Sequence, residues 1–279
     1  MNLHTIHAGM FKLDGGAMFG VVPKSMWNKL NQADENNMCS WAMRCLLIED
    51  GNRLILIDNG MGNKQDSKFF GHYYLHGDYS LDKSLAEKGF SRSDITDVFL
   101  THLHFDHCGG SINRNGSTGL YEPAFKNATY WSHSKHWDWA INPNAREKAS
   151  FLKENIIPIQ ESGQLKFYDM HNHLPDYFSA EIVCGHTESM MLPLITYKNY
   201  QILFVADLFP SAAHIPLPFI MAYDTRPLMT LSDKETVLNK CVSNQTILFF
   251  EHDPLVECCN LIQTDRGIRP NDTFTLNLL

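Results

Sequence analysis

Thr101-His102-Leu103-His104-Phe105-Asp106-His107-Cys108-Gly109-Gly110 is the stretch from which the rest of the chain is best read. It spells H-x-H-x-D-H followed by two glycines, directly after the apolar run Val98-Phe99-Leu100. That run has the composition of a short buried strand. Alternate side chains of an extended segment point the same way, so His102, His104 and Asp106 are expected to project together from the strand end. His107 falls where the chain begins to turn, and Gly109 and Gly110 are expected to permit a sharp bend behind it. Three imidazoles and a carboxylate this close together suit a zinc-type metal. Even with 14 histidines available, chance would place such a pattern in only about 0.002 of chains this long.

Other strand ends repeat the theme. Glu181 to Cys184 reads as a strand running into Gly185-His186-Thr187, Gln201 to Val205 as one ending in Ala206-Asp207, and Thr246 to Phe250 as one ending in Glu251-His252. The chain therefore presents His102, His104, Asp106, His107, His186, Asp207 and His252. These exceed what one tetrahedral zinc takes. They fit two metals: His102, His104 and His186 on one, Asp106, His107 and His252 on the other, and Asp207 shared. Two metals about 3.5–4 Å apart hold a bridging hydroxide and clamp both oxygens of a hydrolysis.

Composition narrows the class. Hydrophobic residues make up 44% and charged residues 19% of the 279, enough for a packed core. The net charge of −8 and the lack of any basic cluster argue against nucleic-acid binding. Met1 to Phe11 has neither the basic start nor the apolar core of a signal peptide. No apolar run approaches the roughly 18 residues of a membrane span. The 7 cysteines lack C-x-x-C spacing, and the expectation is reduced thiols in a cytoplasmic protein.

Along the chain, residues 3–11 and 17–22 read as strands around an Asp14-Gly15-Gly16 turn. Arg44 to Glu49 and Arg53 to Ile57 read as a second strand pair, ending in Asp58-Asn59-Gly60. Asp58 is expected either to support the metal ligands or to cap the next element. Phe69 to His76 reads as an aromatic excursion at a pocket rim, suited to a homodimer contact. Leu81 to Lys88, Lys135 to Ile141 and Ala145 to Glu154 read as helices, with His133 and His136 as packing or rim residues. His171-Asn172-His173 reads as loop. Ser232 to Val242 reads as a helix capped by Ser232 with Glu235 in the capping-box position. Met18, Phe19, Phe219 and Met221 are candidates for an apolar substrate wall. No linker divides the chain, so residues 1–279 are expected to form a single domain of two similar halves.

H-x-H-x-D-H, then Gly-His-Thr, then Ala-Asp, then His at these separations resembles the metallo-β-lactamase-fold superfamily, over nearly the whole chain. The resemblance implies an α/β fold, a four-layer αββα sandwich, with two divalent metals, zinc or else iron, manganese or cobalt, on the seven donors. Class B β-lactamases lack the bridging aspartate. Glyoxalase II carries a long helical C-terminal region, and transfer-RNA processing nucleases carry a basic arm. The remaining resemblance is to the N-acyl homoserine lactonase and methyl-parathion-hydrolase group. It implies attack by the metal-bridging hydroxide on a small ester-type substrate, a lactone or carboxylic ester. Asp106 would relay a proton and Tyr223 would donate to the oxyanion. The alternatives are a phosphotriester or phosphodiester hydrolase, and a mononuclear-iron oxidoreductase of the persulfide-dioxygenase kind. No nucleic-acid or membrane partner is expected.

Overall fold

The computed structural model describes residues 1–170 and 174–279, so His171-Asn172-His173 lies outside the described residues. The chain divides into two compact units, Met1–Gly9 with Met43–His173 and Met10–Ala42 with Leu174–Leu279.

Strand β1 (Asn2–Asp14) is followed by a helix, α1 (Gly15–Phe19), where a hairpin partner was expected. The cause is Asp14, whose Oδ1 accepts from the Ala17 amide at 2.8 Å and so caps a helix. After a short α2 (Lys24–Trp27), strands β2 (Met38–Asp50) and β3 (Arg53–Ile57) pair antiparallel with Leu46 opposite Ile57.

Within the first unit, α3 (Ser67–Gly71) and α4 (Leu81–Glu87) precede β4 (Asp97–Phe99) and the one-turn helix α5 (Phe105–Cys108). A small ribbon of β5 (Ile112–Arg114) and β6 (Tyr121–Pro123) follows, then β7 (Thr129–Ser132), α6 (Ser134–Ile141), α7 (Lys153–Glu161) and β8 (Leu165–Phe167). The sheet order is β1-β2-β3-β4-β7-β8, parallel from β3 onward. Leu47, Leu56, Val98 and Tyr130 on its strands bury against Leu81 and Leu85 of α4, Trp137 of α6, and Ile156 and Ile159 of α7. The expected Ala145–Glu154 helix is instead a series of turns, and α7 starts at Lys153. Asn144 Oδ1 accepts from the Arg146 and Glu147 amides, an Asx arrangement that competes with helix propagation.

The second unit carries β9 (Phe178–Val183), β10 (Met190–Tyr197), β11 (Tyr200–Phe204), α8 (Pro227–Asn244), β12 (Ile247–Phe249), β13 (Cys258–Thr264) and β14 (Gly267–Phe274). They form one sheet in the order β14-β13-β12-β11-β10-β9. Only β11 and β12 run parallel among its described pairs, and a parallel pair needs a long crossover, which residues 205–246 supply. Helix α8 begins at Pro227, ahead of the expected Ser232, because a proline at the first helical position loses no needed donor. It buries Val237, Leu238 and Cys241. All seven cysteines are free; six are buried and Cys184 is partly exposed. Among the described residues no helix is long and apolar enough to cross a membrane.

Candidate metal centre

In the first unit the motif begins in an irregular segment past β4 and finishes in α5, so Asp106 projects from a helical turn and not from an extended strand end. His102 Nε2 and His104 Nδ1 converge to 3.0 Å, while His102 Nδ1 meets the Thr101 hydroxyl at 3.1 Å. His107 presents Nε2 toward Asp106 Oδ2 at 3.9 Å. Its other nitrogen, Nδ1, lies 3.1 Å from Asp58 Oδ2. Asp58 is fully buried and accepts from the Thr101 amide at 2.8 Å and the Thr101 hydroxyl at 2.6 Å. It supports the motif and caps no helix, and it holds a left-handed φ of 55°, a strained conformation of the kind that persists when surroundings enforce it.

The two glycines serve close approach, not a bend. Gly109 has an ordinary φ of −61°. A Cβ there would overlap the Met61 carbonyl, and one on Gly110 would overlap the Asn59 carbonyl. The Asn59 amide donates to His107 O at 2.9 Å and the Gly110 amide to Gly60 O at 2.8 Å, locking α5 to the 58–62 turn. Lys64 and Arg92 donate to the Gly109 and Gly110 carbonyls.

In the second unit Asp207 stands between two imidazoles. Its Oδ2 is 3.1 Å from His186 Nε2 and its Oδ1 is 3.0 Å from His252 Nε2. Both rings are held from behind: His186 Nδ1 by Asp224 Oδ1 at 2.8 Å, and His252 Nδ1 by the Ala42 carbonyl at 2.7 Å. The turn carrying His186 is docked on α8, where Asp233 accepts from the Cys184 and Gly185 amides at 3.0 and 2.9 Å. Burial alone would lower the His186 pKa, but the Asp207 and Asp224 carboxylates raise it to about 10. Buried carboxylates of this kind require a positive charge beside them. Imidazole and carboxylate donors with their remote nitrogens already pinned are what a divalent cation binds. Donors of these types suit a divalent cation.

Residues 208–231 are tied to this half by Lys234. Its buried ammonium donates to the carbonyls of His214, Pro216, Leu217 and Phe219 at 2.6, 2.9, 3.3 and 2.8 Å. His214 sits between the Ser211 hydroxyl, 2.8 Å from Nδ1, and the Met18 carbonyl, 2.9 Å from Nε2. Its ring stacks on Phe19 at 4.5 Å, and burial draws its pKa down to about 3. Phe19, also stacked on Trp27, is core and not an open substrate wall; Met18 and Met221 are buried likewise. Tyr223 is 40% exposed.

Other described histidines lie outside this donor set. His133 caps α6 through the Lys135 amide, and His136 Nε2 accepts the Leu103 amide at 2.8 Å. His72 is exposed, and the Phe69–Tyr73 excursion packs its rings on Phe105, with Tyr73 4.6 Å away. Sequence reading missed Asp224, Glu147 and the bond from Leu103 to His136. An isolated acid in a Pro-rich stretch or a turn has no periodic signal.

Residues 44–113 match the model of the metallo-β-lactamase superfamily. No curated protein matches the sequence. Among solved structures, a probable metal-dependent hydrolase from Staphylococcus aureus aligns with a TM-score of 0.89 at 27% identity, over 100% of this chain and 98% of that one. AidC, a dizinc quorum-quenching lactonase solved with a product, aligns with a TM-score of 0.78 at 25% identity, over 98% of this chain and 95% of that one. The hydrolase AbOPH, of the β-lactamase superfamily, shares the fold with a TM-score of 0.77 at 20% identity, over 98% and 94%.

Proposed function

We propose that this chain, which has the mixed α/β metallo-β-lactamase fold and matches that superfamily's model over residues 44–113, is a dinuclear metal-dependent hydrolase of ester-type bonds. The carrying observation is the divided carboxylate of Asp207, one oxygen at each of two imidazoles. A carboxylate so placed suits a bridge between two cations better than a ligand to one. On this reading His102, His104 and His186 hold one metal, Asp106, His107 and His252 the other, and residues 1–279 act as one functional domain. Two divalent cations so held, zinc or else iron, manganese or cobalt, supply Lewis acidity and bring water to nucleophilic strength near neutral pH.

The chain's own residues do the rest. Asp58, Asp224 and the Ala42 carbonyl fix the rings of His107, His186 and His252. Asp106, only 8% exposed, is assigned to relay a proton to the leaving alkoxide. Tyr223 is accessible and is assigned as donor to the developing oxyanion. A lactone or carboxylic ester is the favoured substrate, supported by the likeness to AidC, whose structure holds N-hexnoyl-L-homoserine as product.

The test is hydrolysis by zinc-loaded protein of acyl homoserine lactones, γ-lactones, aryl esters, phosphodiesters and phosphotriesters, with Asp207→Ala as control. Turnover of a lactone or carboxylic ester that vanishes in the variant supports the reading. Turnover confined to phosphoesters moves the substrate class. Silence across the panel with metal bound overturns the hydrolase assignment and directs attention to thiol-dependent oxygen uptake.

A further inference from the structure

We propose that Glu147 is a positioning residue that holds the His104 ring in the tautomer offering Nδ1 to a metal. This rests on the preceding reading that His102 and His104 are metal ligands.

Three consecutive residues of the motif are gripped by one downstream segment, all within the first unit. The Leu103 amide donates to His136 Nε2 at 2.8 Å, and the Phe105 amide donates to the Ser150 carbonyl at 3.0 Å. Between them, the His104 ring packs on Phe151 at 4.8 Å between centroids and places Nε2 3.5 Å from Glu147 Oε1. Residues 136–151 thus fix the backbone on either side of His104 and face its ring.

Glu147 is only 3% exposed. Its Oε2 accepts from Trp139 Nε1 at 2.7 Å and from Asn144 Nδ2 at 2.6 Å, which aims Oε1 at His104. A buried carboxylate is costly unless a positive charge or strong donors face it. The opposite edge of the His104 ring, Nδ1, is the one that converges with His102 Nε2 at 3.0 Å. The ring therefore has a donor side and a carboxylate side. An imidazole that gives its Nδ1 lone pair to a cation carries its proton on Nε2. A carboxylate facing that proton selects the tautomer and raises the basicity of the coordinating nitrogen. At 3.5 Å the contact is an ion-pair distance, longer than a strong hydrogen bond, so its effect is chiefly electrostatic. Gln at this position keeps an acceptor for Trp139 and Asn144 but removes the negative charge.

The experiment measures Zn²⁺ affinity by competition with a chromophoric chelator in wild type, Glu147→Gln, Glu147→Asp and His102→Ala, with thermal melts of the metal-free proteins as fold control. Glu147→Gln is expected to weaken Zn²⁺ by about 10- to 100-fold, with partial recovery in Glu147→Asp. Unchanged affinity in a folded Glu147→Gln overturns this inference and leaves the hydrolase reading standing. A wild type that takes up no Zn²⁺ overturns the hydrolase reading and this inference with it. Should Glu147→Gln fail to fold, ¹⁵N-histidine spectra of the zinc-loaded wild type decide: a protonated Nε2 on His104 is expected, and a protonated Nδ1 overturns the proposal.

Discussion

Asp207 sets one carboxylate oxygen 3.1 Å from the Nε2 of His186 and the other 3.0 Å from the Nε2 of His252. A side chain with one acceptor oxygen cannot serve both imidazoles. Asp207→Asn is therefore expected to lose the second metal equivalent while retaining the fold. Elemental analysis of dialysed protein checks the first point and circular dichroism the second.

Asp224 touches His186 at Nδ1, on the side of the ring away from the Nε2 that faces Asp207. Asp224→Asn is expected to weaken Zn²⁺ by about 10- to 100-fold, leaving hydrolysis largely restored at saturating metal. A chelator titration beside activity at high Zn²⁺ separates this from loss of a group that touches substrate.

His214 is neutral in the fold, with a pKa near 3 against an ordinary 6.5. The unfolded chain thus binds a proton that the folded chain refuses between those values. Stability from this residue is complete above about pH 6.5 and is lost as pH falls toward 3. His214→Gln is expected to lose less stability between pH 7 and 4.5 than wild type, by about 2 kcal/mol. Urea midpoints at the two pH values provide the measurement.

Lys234 satisfies four carbonyls of the segment that follows Asp207. Lys234→Met leaves them buried without their donor, at a cost of about 2–3 kcal/mol. Gly109→Ala drives a methyl into the Met61 carbonyl, which no side-chain rotation relieves. It is expected to cost several kcal/mol, on the order of the largest single-site losses. Denaturant melts of both variants check these values.

The places of His102, His186, Asp207 and His252 were legible in the chain because a strand end leaves a local signature: an apolar run that closes on a histidine or aspartate. β2, β3, β11 and β12 were legible from an apolar composition bounded by turn residues. The errors arose where side chains act on backbone. Asp14 caps a helix where its neighbouring glycines suggested a hairpin, and Asn144 arrests one where the pattern suggested continuation. The β13–β14 hairpin went unread because Pro270, Asn271 and Asp272 lack strand propensity. Asp224 and Glu147 act on histidines 38 and 43 positions away (224 − 186 and 147 − 104), and nothing in local spacing marks such partners.

The distribution of thiols has a practical consequence. Burial pushes the Cys39 pKa up to about 11 and those of Cys108, Cys241 and Cys259 up to about 12, so these stay unreactive toward alkylation in the native state. Cys184, partly exposed and two positions before His186, is the thiol left for a reagent to find. A fluorophore placed there by simple labelling would report on the His186 turn, giving an optical signal for metal capture without an engineered cysteine.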